Sequence, residues 1–347
     1  MSLLASVLIV SFNDEGLIAD CLSSVLDQQL PRNAFEVIVV DNASQDRTVS
    51  VIREEFPSVK LVESDVNLGY PAGMNRALQE ASAPRIVMLS SDTVVPREWL
   101  AALLAPMEAD PSAKVTHGAM LIPGDPGFAT GVASRQRPDW AYYHDLSRLG
   151  LVVPHRISTA AAPVPTLHVA GASAALDLSI LPELGGYMLD GDFFLDCDEI
   201  DLGLRVNSLG YKVLAVPAAA YYHLHPFNTA ASLSRRMAKR LLRLERNKAL
   251  AFYKSMHSLE LLACMPILLI GGALKPMVYA DRFPRARMLL AILGLGVFVW
   301  LGFLQAALAY FPRYREKRQI ALRNRRQPSF WLLKQLLRRP ALSNAHG

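Results

Sequence analysis

Polar side chains stand where apolar runs stop. Asn13 follows ASVLIVSF, Asp41 follows FEVIVV, and Asp92 follows RIVML and a pair of serines. One such residue alone caps a helix or makes a turn. Three of them after successive strands point to a shared nucleotide site, because ligands of parallel sheets sit beyond the carboxyl ends of the strands. Further along, Asp190, Asp192, Asp196, Asp198, Glu199 and Asp201 crowd into GYMLDGDFFLDCDEIDLGLRVNSLGY, a set able to manage a proton or a cation. His223 and His225 follow in AAAYYHLHP, a ligand-competent pair of imidazoles.

Elements that would position these groups are legible around them. Residues 5–12, 35–40, 59–63 and 85–89 read as buried strands, and Leu17 to Leu30, Thr48 to Phe56 and Gly73 to Ala81 as the helices between them. This alternation predicts an α/β fold with a mostly parallel twisted sheet covered by helices on both faces. Pro123 to Pro165, rich in Gly, Pro and Ala, reads as a long irregular connection and a lid over the site. A strand and a short helix follow from His168, a helix from Ile200 to Leu209, and a strand from Tyr211 to Val216.

Composition divides the 347 residues in two. Residues 231–347 hold 22 Lys and Arg against 4 Asp and Glu, whereas residues 1–230 hold 14 against 27; the formal net charge of +5 conceals this split. With 52% hydrophobic residues and a mean hydropathy of +0.21, the chain is too apolar to be disordered. Cys21, Cys197 and Cys264 are far apart and suit neither a disulfide framework nor a metal site. Met288 to Pro312 carries no formal charge over 25 residues, long enough to span a bilayer. Leu261 to Leu274 is a shorter second candidate, either a span or an interfacial helix. Basic residues from Arg235 to Lys248 and from Arg313 to Arg318 flank the pair and place both outer sides in the cytoplasm. Arg282, Arg285 and Arg287 lie between them and oppose that topology. No nucleic-acid module is recognisable, so anionic lipid is the expected partner of the basic third.

The motifs VLIVSFN, VVDNASQDRT, NLGYPAGMNRAL, VMLSSDTVV, GGY with FFLDCDEIDLGLR, and PAAAYYHLHP occur in this order over residues 5–225. Together they resemble the family 2 glycosyltransferases, inverting enzymes of the GT-A nucleotide-diphospho-sugar transferase fold, and most of all a bacterial rhamnosyltransferase-like branch. ERNKALAFYK and KRQIALRNRRQPS resemble that branch's membrane-adjacent flanks. The resemblance implies a nucleotide-sugar donor such as dTDP-rhamnose, a divalent cation (Mg²⁺ or Mn²⁺), and a lipid-linked or cell-surface polysaccharide acceptor. It implies a location at the bacterial inner membrane with the catalytic domain on the cytoplasmic side.

By that resemblance Asp41 binds the base with Asn13 nearby, and Asn67, Gly69 and Asn75 sit on the nucleotide-facing loop and helix start. Asp92 holds the metal and diphosphate, although Ser90-Ser91-Asp92 lacks the first aspartate of a full DxD. Pro71 and Met74 also depart from the usual pattern. The metal-binding histidine falls on His223, with His225 as the alternative. The catalytic base is Glu199 by position and Asp198 by residue type, since the family's acidic pair is reversed here. Gly171, Ala172 and Asp201 fall on the acceptor side, and Arg205 supports either the diphosphate or its own helix. Asp190 and Asp192 read as a solvated acidic helix start. The expected organisation is a catalytic domain over 1–230 (nucleotide half about 1–122, acceptor half about 166–230). A basic amphipathic helix over 231–256, a membrane hairpin or an interfacial helix plus one span over 257–312 and a basic cytoplasmic tail over 313–347 follow. The alternative reading, motivated by the departures from the family pattern, is a catalytically degenerate fold serving as a membrane scaffold.

Overall fold

The structure, a computed structural model, describes residues 3–121, 138–224, 235–274 and 296–340. Strand β1 (Ala5–Ser11) is buried along its whole length. Its odd-numbered apolar residues, Val7 and Ile9, enter one core, while Leu8 and Val10 enter another on the opposite face. A strand covered on both sides needs apolar residues at every position, which is why this run shows no alternation. It pairs in parallel with β2 (Phe35–Asp41) and β4 (Arg85–Ser90), and β2 pairs in parallel with β3 (Lys60–Glu63).

Helices α1 (Ile18–Leu26), α2 (Thr48–Glu55) and α4 (Trp99–Ala109) cover the first face; α3 (Tyr70–Leu78) and α5 (Asp198–Ser208) cover the second. Pro71 in the first turn of α3 starts that helix three residues earlier than the sequence pattern indicates, since proline's fixed φ favours a helix start.

The sheet is mixed. After β5 (Thr93–Val94) and β6 (Ala113–Leu121), strand β10 (Ser173–Asp177) runs antiparallel to both β4 and β6. The long strand β11 (Lys212–His223) runs parallel to β6 and continues past the expected end at Val216 to pair with β5. The described part of the expected irregular connection is ordered instead. Strands β7 (Trp140–Leu146) and β8 (Val152–Ser158) form an antiparallel hairpin leading off β6, and β9 (Val164–Pro165) pairs with β11. Pro154 disguises β8 in the sequence; it is tolerated because β8 pairs with β7 alone, at the edge. Residues 122–137 of the expected lid lie outside the described residues.

The basic third folds against this unit. Helix α6 (Arg235–Ser255), α7 (Ser258–Ala273), a helix over 296–305 and a π turn (Ala306–Tyr310) are followed by α9 (Arg315–Asn324) and α10 (Trp331–Leu337), the helix over 296–305 being α8. Phe193, Ile200 and Leu204 from the acidic region share one core with Leu250, Phe252, Met256, Cys264, Tyr314 and Leu336. Arg325, 2% exposed at its side chain, pairs with the fully buried Glu260 at 2.9 Å, and Arg339 reaches Asp145 at 2.8 Å. Part of the positive charge is therefore spent on internal ion pairs. Among the described residues no helix is long and apolar enough to cross a membrane; residues 288–295 of the expected span lie outside them.

Candidate active site

The carboxyl ends of β1 and β4 open onto a cleft of about 150 Å³ lined by Val10, Asp14, Leu17, Tyr70, Ser90, Ser91 and Asp92. Asn13, the residue before Asp14, has φ +56°, its amide oxygen accepting from Gln45 N at 2.8 Å. Asp41 ends β2 in register with Ser11. It is 2% exposed, one carboxylate oxygen accepts from Ser44 N at 2.9 Å, and the other is buried without a partner. A buried acceptor left open in this way is what an N–H of a bound base would fill.

Asn42 anchors the next loop: its amide donates to Gly69 O at 3.2 Å and accepts from Leu68 N at 3.3 Å. Asn67 caps the same loop through Gly69 N at 2.9 Å. Gly69 has φ +78°, and a β-carbon there would collide with the Phe194 carbonyl oxygen, so both conformation and space require glycine. The next amide, Tyr70 N, donates to that carbonyl at 2.9 Å, tying the donor loop to the acidic segment.

The β5–β11 pairing sets His223 opposite Thr93 and brings the imidazole Nε2 3.1 Å from Asp92 Oδ2. The two side chains are about one-fifth exposed, 19% and 22%. Among the described residues no third His, Cys, Asp or Glu joins them as a metal cluster. One oxygen and one nitrogen donor at the mouth of a cleft suit a cation whose remaining ligands are water and diphosphate oxygens. His225 lies outside the described residues. Asp14 stands behind this pair, accepting from Ser11 Oγ, Phe12 N and Ser91 Oγ at 2.9, 3.0 and 2.6 Å.

Across the cleft, Glu199 lies in the first turn of α5, against Gly171, where a β-carbon would press on its side chain. Burial pushes its carboxyl up to about 7, and the charge of Asp196 adds to the rise. Asp198, 2% exposed with one oxygen unpartnered among the described residues, is also raised well above the usual carboxylate range, by burial first and then by Glu199. Tyr70 donates to Gly171 O at 2.8 Å, and Ser90 N donates to Ala172 O at 3.1 Å, which closes the acceptor side onto β4. The Tyr70 and Tyr221 hydroxyls are raised by burial and by the charges of both Asp92 and Glu199, so the two carboxyls act on the same pair of phenols.

The turn before α5 is strained: Phe194, Asp196 and Cys197 all have φ between +63° and +71°. Asn247 of α6, fully buried, holds it. Its amide hydrogens are shared among the carbonyls of Phe193, Leu195 and Asp196 at 3.0, 3.1 and 3.0 Å. Arg240 and Arg243 add contacts to the Asp196 carboxylate at 3.0 and 3.4 Å.

Three expected site residues serve this scaffold instead of the cleft. Asn75 spends its amide on Leu189, donating to O at 2.6 Å and accepting from N at 3.2 Å. Arg205 binds Asp201 at 2.9 Å and the carbonyls of Leu184, Tyr187 and Met188. Asp201 also meets Lys254 at 2.8 Å. Asp190 is likewise no solvated helix start: it is fully buried between Lys254 at 2.6 Å and Lys317 at 2.7 Å. Burial works to raise its carboxyl, and the two ammonium groups override it and hold it down at about 2. Asp192 keeps the exposed position expected of it, paired with Lys317 at 2.8 Å. Sequence reasoning missed Asp14, Asn42, Tyr70, Tyr221 and Asn247. Asp14 directly follows Asn13, Asn42 directly follows Asp41, and Asn247 lies in ERNKALAFYK, so position beside a recognised motif was the available signal.

Residues 6–162 match the model for Glycosyl transferase family 2, and residues 85–311 match Glycosyl transferase family group 2. The chain belongs to the family 2 glycosyltransferases. It is 32% identical over 99 residues to the poly(ribitol-phosphate) beta-glucosyltransferase of Bacillus spizizenii, which covers 27% of this chain and 16% of that protein. Its fold is similar to that of Staphylococcus aureus TarS residues 1–349 in complex with UDP-GlcNAc (TM-score 0.55, 16% identity, covering 97% of this chain and 92% of that one). It is also similar to the Pyrobaculum calidifontis mannosyltransferase PcManGT bound to GDP-Man and Mn²⁺ (TM-score 0.52, 20% identity, covering 93% and 86%). These neighbours establish a GT-A-like α/β fold with a mixed sheet for this family 2 transferase, which spans less than a fifth of the Bacillus relative's length.

Proposed function

We propose that this glycosyltransferase moves a sugar from a nucleotide-activated donor to a polysaccharide or lipid-linked acceptor, with inversion at the anomeric carbon. The observation that carries the reading is Glu199, a carboxyl raised to about 7 on the acceptor side of the cleft whose donor side holds Asp92. At that value it accepts a proton near neutral pH. Glu199 takes the proton of the acceptor hydroxyl as its oxygen attacks the anomeric carbon; the bond from that carbon to the diphosphate oxygen breaks on the opposite face, and the nucleoside diphosphate departs. Asp41 offers its open oxygen to the base, and the Gly69 backbone gives the donor close approach. Asp92 and His223 would hold Mg²⁺ or Mn²⁺, which when bound neutralises the charge of the leaving diphosphate. Asp198, the neighbouring carboxyl, is likewise raised by burial and by the charge of Glu199.

The acceptor class is supported by the poly(ribitol-phosphate) relative, and the cation by the Mn²⁺ in PcManGT. A dTDP-rhamnose donor follows from the motif resemblance alone. A site at the inner membrane, facing the cytoplasm, follows from the basic C-terminal third. Purified protein incubated with UDP-, dTDP- and GDP-sugars, with and without Mn²⁺ and a polyprenyl-linked acceptor, tests the reading by release of nucleoside diphosphate. We expect turnover with one donor, lost in Glu199→Gln and Asp92→Ala. Absence of turnover with every donor, together with absence of nucleoside diphosphate binding, would overturn it in favour of a scaffold.

A further inference from the structure

Eight of the fifteen large apolar side chains exposed among the described residues lie on two helices of the basic third and the π turn that ends the second. On α7, Leu259, Leu262 and Ile270 are 70%, 64% and 54% exposed, with Ala263 and Pro266 on the same face. Along α8 and the π turn, Val297, Trp300, Leu304 and Leu308 are 56%, 62%, 52% and 72% exposed. Both stripes keep the same i, i+3, i+7, i+11 spacing, the outer face of an amphipathic helix. The helices touch at Gly272, where a β-carbon would meet Val299, and at Gly296 beside Ala273.

Their inner faces are already occupied. Glu260 of α7 is fully buried and accepts from Arg325 and from Leu332 N at 3.0 Å, and a β-carbon at Gly271 would collide with the Leu149 carbonyl. Gly302 of α8 lies against Leu242 and Glu245 of α6. With the inner faces packed on protein, only the outer stripes are free to meet a partner. At about 1.5 Å per residue the 16 residues of α7 also fall short of a hydrocarbon core of roughly 30 Å. Contiguous exposed apolar surface on this scale marks an interaction site. The adjacent charge selects the partner: 22 Lys and Arg against 4 Asp and Glu over 231–347, with Lys239, Arg313 and Arg315 exposed. Trp300 is the aromatic residue favoured at a headgroup boundary.

We infer that α7 and α8 form an in-plane face that seats in one leaflet of an anionic bilayer, holding the cleft beside the membrane without crossing it. This rests on the membrane location proposed above and specifies its geometry. The purified full chain is sedimented with vesicles of phosphatidylcholine alone and of phosphatidylcholine with phosphatidylglycerol. We expect salt-sensitive binding to the mixed vesicles, weakened at least about tenfold in Leu262→Gln/Leu304→Gln, a change of exposed residues that leaves the melting temperature in place. Trp300 fluorescence, taken as the difference from Trp300→Phe, should be quenched by lipids brominated near the headgroup. Equal vesicle binding by the double variant overturns the inference. So does a double variant that loses self-association in place of vesicle binding, because a second copy then covers the face. Quenching confined to lipids brominated near the chain ends also overturns it, and leaves the membrane location standing. Vesicle binding without sugar transfer would count against the transferase reading alone.

Discussion

The ammonium of Lys254 lies 2.8 Å from the Asp201 carboxylate, with both side chains fully buried between α6 and the helix that carries Glu199. The same ammonium reaches Asp190 at 2.6 Å, so one cation from the basic third is shared by two carboxylates, whose other cationic partners are Lys317 for Asp190 and Arg205 for Asp201. Removing it leaves both in a site from which water is excluded. Lys254→Met should destabilise the protein by about 3–5 kcal/mol, measured by urea unfolding. Combined with Asp201→Asn, the loss should be smaller than the sum, because both changes break the same ion pair.

Glu199→Gln keeps the shape of the side chain and removes its basicity. The turnover number should fall by about 10²–10⁴-fold while donor affinity, read by calorimetry, stays constant. In the wild type the rate should rise with pH through about 7, as the ionised form becomes populated. Asp198→Asn should keep more of the turnover than Glu199→Gln does; turnover lost in Asp198→Asn and retained in Glu199→Gln would move the base to Asp198.

Asp190 and Glu199 should respond oppositely to pH in stability measurements. Asp190 titrates at about 2 when folded and near 4 when unfolded, so its contribution is complete above pH 4 and is lost as pH falls towards 2. Glu199 is raised when folded, so its contribution is present below about 4 and is lost as pH rises through about 7. Melting temperatures across pH should lose their acid limb in Asp190→Asn and part of their decline towards neutral pH in Glu199→Gln.

Gly69→Ala places a methyl group against Phe194 at a backbone angle that alanine adopts at a cost of about 1–3 kcal/mol. The loop and the strained turn must separate to admit it. The Michaelis constant for the donor and the turnover number should both deteriorate, while Gly16→Ala, with open space around its added methyl, should leave both unchanged.

Much of this arrangement was legible beforehand, for reasons particular residues make plain. The strands showed because covering on both faces forces unbroken apolar runs, as in β1. Asp41 and Asp92 were picked out by their places after strands, where ligands of parallel sheets sit, and His223 by the family resemblance. Asn75, Arg205 and Asp201 carry residue types equally suited to a ligand and to a buried network, and only their partners distinguish the two. Asp190 was misjudged because its neutralising lysines lie 64 and 127 residues away, beyond any local pattern. The β7–β8 hairpin was hidden by Pro154, whose edge position is a property of the sheet and not of the segment.

The Asn247 contacts bear on how the protein can be divided. Three carbonyls of the turn before Glu199 accept from Asn247, and Asp190 and Asp201 both pair with Lys254, so supports of this region come from beyond residue 240. A chain ended at residue 230 would keep every motif and lose the supports that hold the base-bearing turn in its strained shape. The smallest autonomous transferase therefore includes α6 and α9, and fragments chosen by motif coverage alone should express as aggregates or bind donor without turning it over.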